Sequence, residues 1–204
     1  MSTLAESLGR RTTTRSAFVS DVLLVVAGSA VIAGLAQLSV QLPFTPVPVT
    51  GQTLGVMLVA AALGPWRGPL SVLLYLAEGA AGFPVFAAGS SGIATLTGIN
   101  PVHPTGGYLW GFVAGAFVIG LLSNRKWDRG VGSAIGAMLV GEIVIFACGI
   151  AWLSAALNIP GETALELGLY PFVLGEIGKL LVAAGGLPAA WRLAGGPAGV
   201  RRGL

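Results

Sequence analysis

The chain has 204 residues, of which 54% are hydrophobic and only 9% charged, and its mean hydropathy is +0.85. Soluble domains carry charge on about a quarter of their residues, so this composition excludes a soluble enzyme or binding module and identifies an integral membrane protein. The formal net charge of +3 would suit a polyanionic partner such as nucleic acid, but the positions of the charges give it a different meaning.

The opening stretch MSTLAESLGRRTTTR is polar and basic and leads into an apolar run of more than twenty residues. That run is too long for a signal-peptide core, so it is expected to be a retained first helix. A helix needs roughly 20 apolar residues to cross a bilayer. On that measure six helices are expected, at 17–40, 51–64, 68–81, 107–123, 132–156 and 171–194. They make an all-α, six-helix transmembrane bundle over 17–194, between a cytoplasmic segment 1–16 and a cytoplasmic tail 195–204. A barrel would alternate polar and apolar residues, whereas these runs are continuously apolar, and 32 glycines suit close helix packing in lipid.

In the first helix, VVAGSAVIAGLAQ places Ser29 four residues before Ala33 and Ala30 four before Gly34. Such small-residue spacing suits close contact with another helix, within the bundle or on a separate membrane subunit. The second and third runs are short for full spans, so they are either tilted or broken around a cavity.

Ten of the eleven basic residues fall on one side of this topology. Arg10, Arg11 and Arg15 precede the first helix and Arg67 follows the second. Arg125, Lys126 and Arg129 follow the fourth, and Arg192, Arg201 and Arg202 close the chain. By the positive-inside rule that side is cytoplasmic, with both termini on it. The eleventh is Lys179, in the apolar stretch YPFVLGEIGKLLVAAGG, three residues after Glu176. At that spacing the two share a helix face, and ionisable groups at membrane depth mark a partner, a cavity or a substrate. Two readings fit: an ion pair bracing the last helix, or complementary groups awaiting a polar ligand.

The outer loops, near 41–50, 82–106 and 157–170, contain no Lys or Arg. LPFTPVPVTGQT is stiffened by prolines and supplies Thr45, Thr50, Gln52 and Thr53 as hydrogen-bonding groups, while GFPVFAAGSSGIATLTGINPVHPTGG is apolar and rich in small residues. Both are expected to fold over the bundle and bound an outward-opening pocket. Glu142 is the other acid at apparent depth, with three roles open: pairing with Lys179, exchanging protons, or lying near an interface. Glu78 reads as interfacial, and Asp21 as a solvated group near a helix start. In HPTGGYLWGF, Gly106 and Gly107 free backbone N–H groups at a helix start, and Tyr108 and Trp110 suit either an aromatic belt or a pocket. Cys148, in an apolar run, reads as a small buried hydrophobe.

No chemistry of an enzyme emerges. His103 is the lone histidine and has no metal-ligand spacing around it, and no Ser/His/Asp arrangement is visible. GEIGK lacks the upstream glycine of a phosphate loop and has Leu180 where Ser or Thr would follow the lysine. No metal or cofactor is expected.

Four ordered stretches, LPFTPVPVTGQTLGVML, LGPWRGPLSVLLYLAEGAAGFPVFAAGSSG, PTGGYLWGFVAGAFVIGLL and YPFVLGEIGKLLVAA, together resemble BioY, the biotin-specific S component of energy-coupling factor transporters, over about residues 20–190. The resemblance implies a six-helix bundle with an outward-facing pocket that captures biotin and releases it inside, with a membrane T component and two cytoplasmic ATPases as partners. It implies a cytoplasmic membrane of a prokaryote, and a pocket formed by Gln52, Tyr75, Phe86, Gly107, Tyr108, Glu176 and Lys179. Ser29, Ala30, Ala33 and Gly34 match the place of T-component contact. Leu174, Gly175 and Glu176 stand where the family pattern has Pro-Gly-Asp, and INPVHPTGGY is altered around Asn100 and His103. An S component for another vitamin, and a self-sufficient proton-coupled biotin carrier, are the alternatives.

Overall fold

The computed structural model describes residues 3–5, 14–98 and 104–193. Arg10, Arg11, Asn100, His103, Arg201 and Arg202 lie outside these residues. The elements in chain order are α1 (Thr14–Ala36), β1 (Ser39–Val40), β2 (Val49–Thr50), α2 (Gln52–Ala80), α3 (Ile93–Thr97), α4 (Gly106–Asn124), α5 (Val131–Leu157), α6 (Gly161–Gly168) and α7 (Val173–Leu193). Among the described residues, five stretches are long and apolar enough to cross a membrane.

One of those five, α2, is two helices. Gly64 sits at φ 83° and ψ −171° inside it, a left-handed backbone that glycine adopts without a steric penalty, and Pro65 follows, disfavouring helix at the residue before it. The chain reverses there. Gln52 meets Tyr75 across the two arms, and a Cβ on Gly68 would lie 2.9 Å from the Ala60 Cα, so the arms run back antiparallel in close contact. The short second and third runs of the sequence are these arms, and with them the bundle has six helices. The turn is seated on α4 at Gly120, where a Cβ would come within 2.6 Å of the Gly64 carbonyl carbon and of the Pro65 nitrogen. This is the close small-residue packing that membrane helices favour.

The outside of the bundle is apolar, with Phe18, Leu23, Ile143 and Val182 exposed, as a lipid-facing surface requires. Cys148 belongs to this surface. It is not buried as its apolar surroundings suggested, because its position on α5 turns it outward.

The two ends of the bundle differ. At the basic end, Asp21 of α1 pairs with Arg67 at 2.8 Å, so Asp21 is not simply a solvated group. The Trp191 indole N–H of α7 donates to the Asp128 carboxylate in the link between α4 and α5, and the Arg129 guanidinium stacks over the Trp191 ring at 4.3 Å. Trp66 stands 74% exposed at this end.

At the open end the first helix stops at Ala36, short of the expected 40, and the chain forms the hairpin β1–β2, paired Ser39 with Thr50 and Val40 with Val49. Gln37 caps the loop after α2, donating to the Phe86 carbonyl at 3.4 Å. The Thr45 hydroxyl donates to the Leu167 carbonyl at 2.6 Å, joining the hairpin to α6. The stretch near 157–170, expected as loop, contains α6, whose Ala164 and Gly168 face inward while Glu162 and Glu166 stay exposed.

Candidate ligand-binding site

The hairpin, the loop after α2, α3 and the outer ends of α4, α5 and α7 enclose a cavity of about 600 Å³, inside the range of roughly 300–1,000 Å³ usual for small-molecule sites. Its walls are aromatic and apolar: Phe86, Tyr108, Leu109, Phe112, Phe146 and Phe172. Its rim is the Pro46–Val47–Pro48 turn of the hairpin with Ala87, Ala88 and Ser90 of the loop opposite. Polar groups facing it include Ser39 and Gln41 of the hairpin, Thr50, Gln52, Thr53 and Glu176, with Thr95 and Thr105.

The aromatic walls are braced from behind. Tyr108 donates to the Gly168 carbonyl at 2.8 Å and meets Phe146 edge to face at a centroid distance of 5.8 Å. A Cβ on Gly149 would collide with the Tyr108 ring, so only glycine there lets the ring lie flat on α5. Phe86 stands edge to face on Tyr75 at 5.4 Å, and Phe146 contacts Phe172 at 6.3 Å.

Glu176 and Lys179 form a mutually satisfied pair at the edge of the cavity, with Glu176 in its lining. The Lys179 ammonium donates to Glu176 Oε1 at 2.6 Å, to the Thr50 carbonyl at 2.6 Å and to Thr53 Oγ1 at 2.8 Å. Those three bonds use all three donors of an ammonium. The Thr53 hydroxyl in turn donates to Glu176 Oε2 at 2.8 Å. A carboxylate has about four acceptor sites, so Glu176, lining the cavity, keeps acceptor capacity while its orientation is held from both sides. The pair ties α7 to α2 and β2, and of its two members Glu176 lines the cavity.

The expected site residues divide. Gln52, Phe86, Tyr108 and Glu176 line the cavity. Tyr75 does not: it is fully buried behind Phe86, and its phenol oxygen accepts from the Gln52 amide at 2.6 Å while the Thr50 hydroxyl donates to the Gln52 carbonyl oxygen at 2.9 Å. It fixes Gln52. Lys179 stands behind Glu176, outside the lining, with all its donors used. Gly107 is a packing position as well, because a Cβ there would collide with Trp152 of α5. Trp110 is 48% exposed and belongs to the outer surface, whereas Tyr108 belongs to the cavity.

The small-residue spacing of α1 also divides. Ser29 is fully buried and its hydroxyl donates to Glu78 at 2.5 Å, so it packs inside the bundle rather than toward a partner. Ala33 is half-buried with it. Ala30 and Gly34 face outward, with nothing within 4 Å of a Cβ placed on Gly34.

Sequence reasoning missed Phe112, Phe146 and Phe172, since an aromatic on an apolar helix carries no sign of whether it faces lipid or a cavity. In the sequence Thr50 and Thr53 read only as loop hydrogen-bonding groups. Their place in the Lys179 network had one available signal, the unexplained cation at depth that required acceptors.

A sequence model of the BioY family matches residues 6–196. A protein of Rhizobium etli named biotin transporter BioY is 37% identical over 172 residues, covering 80% of this chain and 89% of its own. One of the same name from Thermotoga maritima is 41% identical over 145 residues, covering 71% and 81%. Among solved structures, the S-component for biotin from an ECF-type ABC transporter, a crystal structure at 2.1 Å, superposes with a TM-score of 0.77 at 29% identity, covering 89% of this chain and 95% of that one. Family match, relatives and fold agree: the chain belongs to the BioY family.

Proposed function

We propose that this protein is a high-affinity biotin-binding membrane subunit that captures biotin from outside and releases it inside, with an ATP-driven energy-coupling module. The observation that carries the reading is the outward cavity with aromatic walls and one restrained carboxylate, in a chain whose relatives are named biotin transporters. Biotin has an apolar thioether-containing ring fused to a ureido ring with two N–H donors and one carbonyl acceptor, and a valerate chain ending in a carboxylate. Glu176 accepts from one ureido N–H, a charge-assisted contact of the stronger kind. The amide of Gln52 and the hydroxyl of Thr53 lie beside it for the remaining polar edge, and Phe86, Tyr108 and Phe146 cover the rings. The basic end lies in the cytoplasm of a prokaryotic cell, by the positive-inside rule. The partners are a membrane T component, docking on the outward small residues Ala30 and Gly34 of α1, and two cytoplasmic ATPases.

Equilibrium biotin binding to the purified protein, with riboflavin and thiamine as competitors, tests the function. Binding that Glu176→Ala abolishes and that only biotin analogues compete for is the expected result. Preference for another vitamin, or no biotin binding by the parent chain, overturns it.

A further inference from the structure

The cavity is uneven in charge and in depth. At its deep end Thr50, Gln52, Thr53 and Glu176 are all buried, and among the described residues Glu176 is the one side chain of formal charge in the lining. The polar groups of its mouth are neutral. Ser39 and Ser90 are half-buried there, and Gln41 is exposed. Gln41 donates to the Thr45 carbonyl at 2.7 Å and Ser90 to the Ala87 carbonyl at 2.8 Å, so both side chains shape the rim, on which Ala88 stands exposed.

A ligand held by its ureido ring at Glu176 still has a valerate carboxylate to place. Burying an ionised carboxylate without a cation or hydrogen-bond donors is strongly unfavourable. The cation at depth, Lys179, already gives its three donors to Glu176, Thr50 and Thr53, and turning it toward a second carboxylate would leave Glu176 buried without its partner. The outer loops hold no Lys or Arg anywhere in 41–50, 82–106 or 157–170, and Arg67 lies at the opposite, basic end beside Asp21. The carboxylate therefore comes to rest at the mouth, among neutral groups and water, where its charge is screened by solvent rather than paired by the protein.

We propose that the site binds amides of biotin's carboxyl group, among them biotinyl-lysine, as well as biotin itself, with the substituent leaving through the mouth past Ala88. The inference rests on the reading of Glu176 as the acceptor for the ureido ring, and it names the substrate class of that same cavity. An amide keeps the rings and the chain that the aromatic walls cover and changes only the solvated end. Biotin is carried on proteins as an amide of a lysine side chain, so hydrolysis of the peptide bonds on either side of such a lysine is the class of reaction that supplies this ligand.

Two measurements test this, both on the purified protein at pH 8, where imidazoles are ordinarily neutral. In the first, dissociation constants are compared for biotin, its primary amide and biotinyl-lysine. Both amides are expected to bind within about tenfold of biotin, as the loss of an exposed charge interaction allows. A larger loss for either amide overturns the proposal and leaves the biotin reading standing; no binding of any of the three overturns that reading and the inference with it. The second locates the carboxylate by charge. Ala88 has a left-handed φ of 53°, a conformation that Asp and Asn adopt more readily than other side chains with a Cβ, so Ala88→Asp and Ala88→Asn differ by one charge at nearly the same shape. At low ionic strength biotin is expected to bind about fivefold more weakly to Ala88→Asp than to Ala88→Asn, as for like charges a few ångströms apart in water, while the neutral primary amide binds both alike. Equal biotin affinity in the two variants, or an equal loss for biotin and its amide, overturns the placement of the carboxylate and the proposal built on it.

Discussion

Among the described residues, two ion pairs of similar geometry lie at opposite ends, and they do different things. Arg67 meets Asp21 at 2.8 Å with 22% and 47% of the side chains exposed, whereas Lys179 meets Glu176 at 2.6 Å with 15% and 8% exposed. The first lies where the positive-inside rule places basic residues and holds the α2 turn against α1. The second is surrounded by hydrogen-bond partners on three elements and borders the cavity. Distance alone does not separate a surface brace from a binding group; depth, and the acceptor capacity left after every internal bond is counted, do.

The largest expected effect breaks this comparison at the open end. Lys179→Ala leaves the Glu176 carboxylate buried without its cation, which costs about 3–5 kcal/mol, and both stability and biotin affinity fall. Arg67→Ala removes a pair that contributes about 1 kcal/mol or less, so biotin affinity in equilibrium binding stays near that of the parent. A Glu176→Leu, Lys179→Met double variant sharpens the contrast. Replacing both partners by apolar groups recovers thermal stability but not binding, which separates the bracing role from the ligand role.

Tyr75→Phe is the next test. It removes the acceptor of the Gln52 amide, at about 1 kcal/mol for one hydrogen bond, so biotin binding weakens about fivefold while the fold persists. An unchanged dissociation constant would show that Gln52 needs no positioning.

At the basic end, burial raises the Asp128 carboxyl above its ordinary range, opposed by the Trp191 indole N–H and the neighbouring Arg129. Because the folded protein then holds that proton more tightly than the unfolded chain, the Asp128 contribution to stability is fully present below the unfolded value of about 3.9 and is lost as pH rises through the Asp128 titration. Thermal unfolding across that window is expected to show the decline in the parent and not in Asp128→Asn, with biotin binding near neutral pH the same in both. The smallest effect belongs to the outward face of α1. Ala30→Leu changes the stability of the isolated chain by about 0.5 kcal/mol or less and leaves binding intact, yet lowers biotin uptake in cells expressing the complete transporter.

Much of this is legible in the sequence. The six helices, the basic side and the pairing of Glu176 with Lys179 follow from apolar runs and from one cation at depth that topology does not explain. The reversal at Gly64 was half legible: two short runs flanking Gly-Pro signalled a break, but only the antiparallel contact of Gly68 with Ala60 shows a tight hairpin. Helix facing was the part hidden from the sequence. In membrane helices apolar residues cover both the lipid side and the core, so periodicity cannot orient them, and Cys148, Ser29, Gly107 and Phe146 were open or misplaced for that reason. The inward direction of Tyr75 and Lys179 was legible, but not that both stand one layer behind the cavity. That depended on counting donors.

The most direct test of the account is whether biotin occupies the cavity at the open end. On a Cys148→Ala background, a single cysteine replaces Ala88 at the cavity rim, or Leu70, which borders a smaller recess at the basic end beside Asp21 and Arg67. Labelling by a maleimide reagent is then followed with and without biotin. The account predicts that biotin protects Ala88→Cys and leaves Leu70→Cys labelling unchanged; protection at Leu70→Cys, or undiminished labelling at Ala88→Cys under saturating biotin, would contradict it.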